Sequence, residues 1–183
     1  MKQELVRKTM LFQNMEDAEI KMALDAMDAE ERTYQKGEII LTAGDLTGKL
    51  GLLLSGSVTI ETSDYWGNRS ILSQVKAGQL FAEVFALLRD EPVLVDVQVS
   101  QECRVLFLDP QKLRDHMEPW AVKLLHNLLN ISLHKNLALS SRSYHTAPKS
   151  ARGRIMAYLN TVALQNKAGS LTFPSTVSRW RTI

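Results

Sequence analysis

Leu50-Gly51-Leu52-Leu53-Leu54-Ser55-Gly56-Ser57-Val58-Thr59-Ile60-Glu61-Thr62 decides the reading of the fold. It holds two strand-length apolar runs, Leu50–Leu54 and Ser57–Thr62, separated by Ser55-Gly56-Ser57, which reads as a turn. The same grammar extends to both sides. Glu38–Leu41, Ile71–Val75, Val93–Val99 and Val105–Leu108 are further short apolar runs, mostly separated by Gly, Asp, Asn or Pro. Many short strands at this spacing predict an antiparallel β-roll or jelly roll, and such a roll encloses an apolar interior. Asp64–Asn68 reads as a hairpin tip and Lys76-Ala77-Gly78 as another turn.

Helical periodicity frames the strands. Glu16–Met27 carries apolar residues at Ile20, Met22, Ala23, Leu24 and Met27, with Asn14 as the expected N-cap. Phe81–Leu88 reads as one or two helical turns. Asp109-Pro110 opens a short helix through Met117, with Asp as cap and Pro in the first turn. The longest helix starts at Pro119 and breaks at Thr146-Ala147-Pro148. A further helix runs from about Lys149 to Asn166, followed by a short strand at Ser170–Phe173. The fold class is therefore α+β. A roll domain with flanking helices spans 1–118, a long helix 119–146, and a third segment 147–183.

The long helix is apolar on two sides, which predicts that both are buried. One side can cover the roll and the other can meet a second copy. Leu124, Leu128, Ile131 and Ala138 roughly follow a coiled-coil seam interrupted by Lys135. With Leu125 and Leu139 they are the expected contacts of a homodimer; burial of this face within one chain is the alternative.

Charge is unevenly placed. The net charge of +2 covers all 20 acids in residues 1–118 and none in 119–183, where nine Lys and Arg stand. This split suggests that the C-terminal part faces a polyanion such as DNA. No apolar run is long enough to span a membrane, so a cytoplasmic location is expected. A single cysteine, Cys103, excludes an internal disulfide and reads as a buried structural thiol. The four histidines, His116, His126, His134 and His145, all follow the strands. A β-roll metalloenzyme needs histidines inside the barrel, so no metal site is expected. There is no nucleophile motif, P-loop or zinc spacing, and no enzyme activity is expected.

The order of elements resembles the Crp–Fnr family of bacterial transcription regulators. The resemblance is carried by Tyr34–Ile40, Ala43-Gly44-Asp45, Leu52–Val58, Gly67-Asn68-Arg69, Gly78–Glu83 and Gly153-Arg154-Ile155. It implies a cyclic-nucleotide-binding-type roll, a dimer helix and a winged helix-turn-helix that binds DNA. Members that bind cyclic AMP read Gly-Glu-Leu in the short helix, then Arg-Ser/Thr-Ala. The glutamate holds the ribose hydroxyl and the arginine neutralises the phosphate. The matching residues here are Ala82-Glu83-Val84 and Val93-Leu94-Val95. Glu83 remains, but the arginine position is Val93 and the hydroxyl position is Leu94. A phosphate without its counter-charge loses several kcal/mol, so neither cyclic AMP nor cyclic GMP is expected as cofactor. The effector contacts implied are Leu80, Phe81, Ala82, Glu83, Val93, Leu94 and Val95. Either another ligand takes this pocket or the roll is filled by its own side chains.

Family members continue well past the Phe173 position with the helix that enters the major groove. The last ten residues, Pro174–Ile183, fit no part of that motif. Under one allowed choice of codons, a single inserted base makes them read Pro-Phe-Asn-Arg-Gln-Gln-Met-Ala-Asp-Tyr, which resembles its first helix. The expectation is an incomplete helix-turn-helix produced by a one-base deletion, with sequence-specific DNA binding impaired. The rival expectation is a freestanding ligand-binding or protein-interaction module.

Overall fold

A computed structural model describes residues 2–63, 66, 68–148 and 150–165. The chain divides between Ser132 and Leu133 into two compact units. In the first, helix α1 (Lys2–Arg7), a 3-10 turn (Met10–Phe12) and helix α2 (Asp17–Ala26) precede the strands. These are β1 (Glu30–Tyr34), β2 (Ile39–Leu41), β3 (Leu50–Ser63), β4 (Arg69–Lys76), β5 (Leu80–Phe81) and β6 (Asp96–Leu108). Helix α3 (Glu83–Leu88) lies between β5 and β6. A 3-10 turn (Pro110–Asp115) leads into helix α4 (Pro119–Thr146), which continues into the second unit, where α5 (Ala151–Gln165) follows.

The antiparallel roll is built on its two long strands. β3 pairs with β6 over nearly its whole length, from Leu50 opposite Leu108 to Glu61 opposite Asp96. One half of the pair also binds β1 and β5, the other half β2 and β4. The register shifts between Leu53 and Val58, and Gly56 sits there at φ 77°. Ser55-Gly56-Ser57 is thus a bulge that bends one continuous strand, not a turn between two strands. Only glycine fits, because a Cβ at Gly56 would stand 2.1 Å from the Glu102 carbonyl oxygen.

The period-two alternation of the strands sorts apolar side chains into two cores. Leu50, Leu52, Leu54, Leu106 and Leu108 face the helices and join Phe12, Ile20, Met27, Trp120 and Leu124. Leu53, Val58, Val97, Val99, Cys103 and Val105 line the interior of the roll. Burial pushes the Cys103 thiol above its ordinary pKa, as expected for a packing residue.

Local chemistry sets the helix ends. Asn14 does not cap α2; Glu16 does, in a capping box where its N–H donates to Glu19 Oε2 at 2.9 Å. The Asp109 side chain accepts from the Gln111 N–H at 3.0 Å, as the Asp-Pro sequence predicts. Ser150 Oγ accepts the Gly153 N–H at the start of α5. The beginning of α4 is tied to the N-terminal segment by Asn127, whose amide donates to the Leu11 and Gln13 carbonyls.

Two expectations for strands change. β1, Glu-Glu-Arg-Thr-Tyr, is too polar to read as a strand, yet it pairs with β6. The run Val93–Val99 enters β6 only at Asp96. Of the expected hairpin tip only Trp66 and Asn68 are among the described residues. The expected strand 170–173 and the last ten residues lie outside them.

Candidate effector site

The candidate effector residues lie on β5, α3 and the segment that leads into β6. Leu80 and Phe81 pair with Leu52 and Gly51 of β3. Alternation then sends their side chains apart. Phe81 enters the roll, edge-on to Phe107 at 6.4 Å between ring centroids. Leu80 instead belongs to the helix-facing core. It is not an effector contact, since adjacent residues of a strand point to opposite faces.

Ala82 adopts a left-handed conformation, φ 59° and ψ 14°, and caps α3. This turn starts the short helix, and Glu83 in its first turn is 4% exposed. Val93 exchanges backbone hydrogen bonds with the Gly44–Asp45 loop at 2.7 and 2.8 Å and is 1% exposed. Leu94 faces outward, 73% exposed, and Val95 is half-buried. Leu94 points to solvent, whereas its neighbour Val93 is buried. Phe81 belongs to the interior cluster with Ala82 packed against it, Glu83 and Val93 are buried, and Val95 is half-buried.

The electrostatics decide what this site can hold. The roll, residues 30–108, contains four arginines, and each faces a carboxylate or its network outside the interior. Arg32 pairs with Glu30 at 2.8 Å, and Arg104 with Glu31 at 2.9 Å. Arg69 stands 4.0 Å from Glu61 and bonds Gln98. Arg89, nearest the expected phosphate position in sequence, donates to both oxygens of Asp109. Lys49 pairs with Glu30, and Lys36 and Lys76 are exposed. Thus no cation of the roll itself is buried in its interior.

With this geometry in place, the comparisons can be read. The family model described as the cyclic nucleotide-binding domain matches residues 31–119. The fold is that of the cyclic nucleotide-binding domain. A cyclic nucleotide-binding domain from Methylobacillus flagellatus KT superposes with a TM-score of 0.64 at 20% identity, over 80% of this chain and 81% of that one. The catabolite activator protein of Thermus thermophilus matches at 25% identity and a TM-score of 0.58, over 75% of this chain and 64% of that protein. The sensor domain of the transcriptional regulator DNR from Pseudomonas aeruginosa matches at 17% identity and a TM-score of 0.58, over 82% of this chain and 93% of that one. A search of curated proteins finds no match. The structures similar to this cyclic nucleotide-binding fold thus include transcriptional regulators.

Helix α4 divides its leucines differently from the sequence reading. Leu124 and Leu128, at 0% and 2% exposure, pack into the helix-facing core of their own chain, and Ile131 packs against it. Leu124 and Leu128 are covered within their own chain and leave little surface for a second copy, whereas Ile131 is only partly buried. Val122, Leu125, Leu129, Leu133, Leu137, Ala138 and Leu139 are exposed. Sequence periodicity could not rank these faces, since a leucine reads the same against either partner. His126 bonds Asn130 on the same helix, and His116 lies between Glu118 and the Trp120 ring. Among the described residues, no three His, Cys, Asp or Glu side chains are grouped to hold a metal ion, and no helix is long and apolar enough to cross a membrane.

Proposed function

We propose that this chain is the sensing and dimerisation part of a Crp–Fnr-type transcription regulator whose roll takes no cyclic nucleotide. The reading is supported by one observation: all four arginines of the roll have partners away from its interior, while the position that the family resemblance implies for the phosphate's counter-charge is a buried valine, Val93. An ionised phosphate there would lose charge-assisted hydrogen bonds of about 1.5–3 kcal/mol each. The regulatory class is supported by the catabolite activator and DNR likenesses, and by the absence of any acid among residues 119–183. The exposed leucines of α4 support pairing with a second copy, which in a two-fold dimer would bring the same face of both helices together.

Calorimetric titration of the whole chain with cyclic AMP and cyclic GMP tests the reading. The expected result is no saturable heat at micromolar concentrations. Sub-micromolar binding of either nucleotide would overturn it. Gel-shift assays with unrelated duplexes test the nucleic-acid role, with affinity expected to fall steeply as salt rises.

A further inference from the structure

With Leu124 and Leu128 in the core of their own chain, another set of α4 positions is left for a partner. Val122, Leu129 and Asn136 recur at intervals of seven residues. Leu125, Ser132 and Leu139 follow each of them by three. Two paired helices meet through positions with this spacing, a and d. Val122, Leu125, Leu129 and Leu139 are more than half exposed, and Asn136 is exposed as well.

Area and chemistry name the occupant of this seam. Leu133 and Leu137 flank it and are exposed too, which makes six large apolar side chains. At roughly 100 Å² apiece they offer about 600 Å², most of the ~800 Å² that one partner of a standard interface buries. The chemistry comes from asparagine, of which α4 has three. The Asn127 amide donates to the Leu11 and Gln13 carbonyls, and Asn130 bonds His126. Asn136 falls at a seam position. An apolar surface laid against it would strip its amide of water without replacing the hydrogen bonds. A carboxamide both donates and accepts, so a second Asn136 is its complement. Only parallel, in-register pairing overlaps the whole seam from Val122 to Leu139 and sets the two Asn136 side chains opposite each other.

We propose that Asn136 sets the register of a parallel pair of α4 helices, each copy's carboxamide bonding the other's. The inference rests on the reading that α4 pairs with a second copy, and it names the residue that selects the arrangement. Asn136 also lowers the affinity of the pair, because a polar residue at an a position specifies register at a cost in stability.

Mixing variants of the full chain tests this by native mass spectrometry. Asn136→Asp sets two carboxylates opposite each other and Asn136→Lys two ammonium groups, whereas the mixed pair joins opposite charges. The mixed dimer is expected at least about tenfold above its statistical proportion. In sedimentation equilibrium, Asn136→Leu should tighten the dimer about tenfold. The register role falls, and the pairing of copies stands, if wild-type chains pair but the mixed dimer stays at its statistical proportion. The same holds if Asn136→Leu pairs no better than wild type. If the wild type stays monomeric at about 0.1 mM, both fall and the face serves a different partner.

Discussion

The ring of Phe81 fills the space that any side chain at Gly51 would need. The two residues are register partners on β5 and β3, and a Cβ at Gly51 would stand 2.2 Å from the ring. Gly51→Ala is therefore expected to cost about 1–3 kcal/mol through overpacking. Urea denaturation measures it. Because the clash is with one ring, Gly51→Ala combined with Phe81→Leu should cost less than the sum of the two single changes. Simple additivity would mean that the ring is not what excludes the side chain.

Ala82 holds a left-handed conformation without the glycine that suits it. An L-residue there costs roughly 1–2 kcal/mol, offset in part by glycine's larger unfolded-state entropy. Ala82→Gly should raise stability by about 0.5–1 kcal/mol, seen as a higher urea midpoint at unchanged slope. A lower midpoint would contradict the geometry.

Two neighbouring leucines of α4 should behave oppositely. Leu124 is part of the chain's own core, so Leu124→Ala should cost about 2–5 kcal/mol. Leu125 is exposed, so Leu125→Glu together with Leu129→Glu should leave the fold intact and give monomers in sedimentation velocity if α4 pairs with its copy. A double variant with unchanged sedimentation would place the dimer contact elsewhere, or show that none forms.

Lys123 of α4 bonds Glu19 of α2 at 2.8 Å, and this bond, with the Glu16 N–H, holds the Glu19 carboxyl below its ordinary 4.5. A carboxylate depressed on folding adds stability that is present above its unfolded pKa and is lost as pH falls through the folded one. Glu19→Gln should therefore lower the urea midpoint at pH 7, and the gap to wild type should close below pH 4.5. Molar salt should also narrow it, because the pair lies at the surface. A gap that widens in acid would reverse the sign.

Much of the fold was legible because local patterns carried it. The apolar period of α2 and the Asp-Pro cap at Asp109 matched the structure. So did the break of α4 at Thr146. The reading failed where a distant partner supplied the deciding contact. Gly56 reads as a strand end, but β6 holds both sides of it in one bulged strand. Glu30–Tyr34 lacks apolar alternation and becomes a strand because β6 offers it an edge.

By itself, the chain determined its strand and helix periods, since these are properties of residue type and spacing. Only the tertiary structure decided which leucines of α4 are core, that Leu80 leaves the roll while Phe81 enters it, and that Arg89 is spent on Asp109. Those outcomes depend on which surface arrives opposite a side chain, and nothing in a residue's immediate neighbours in sequence encodes a carboxylate twenty positions away.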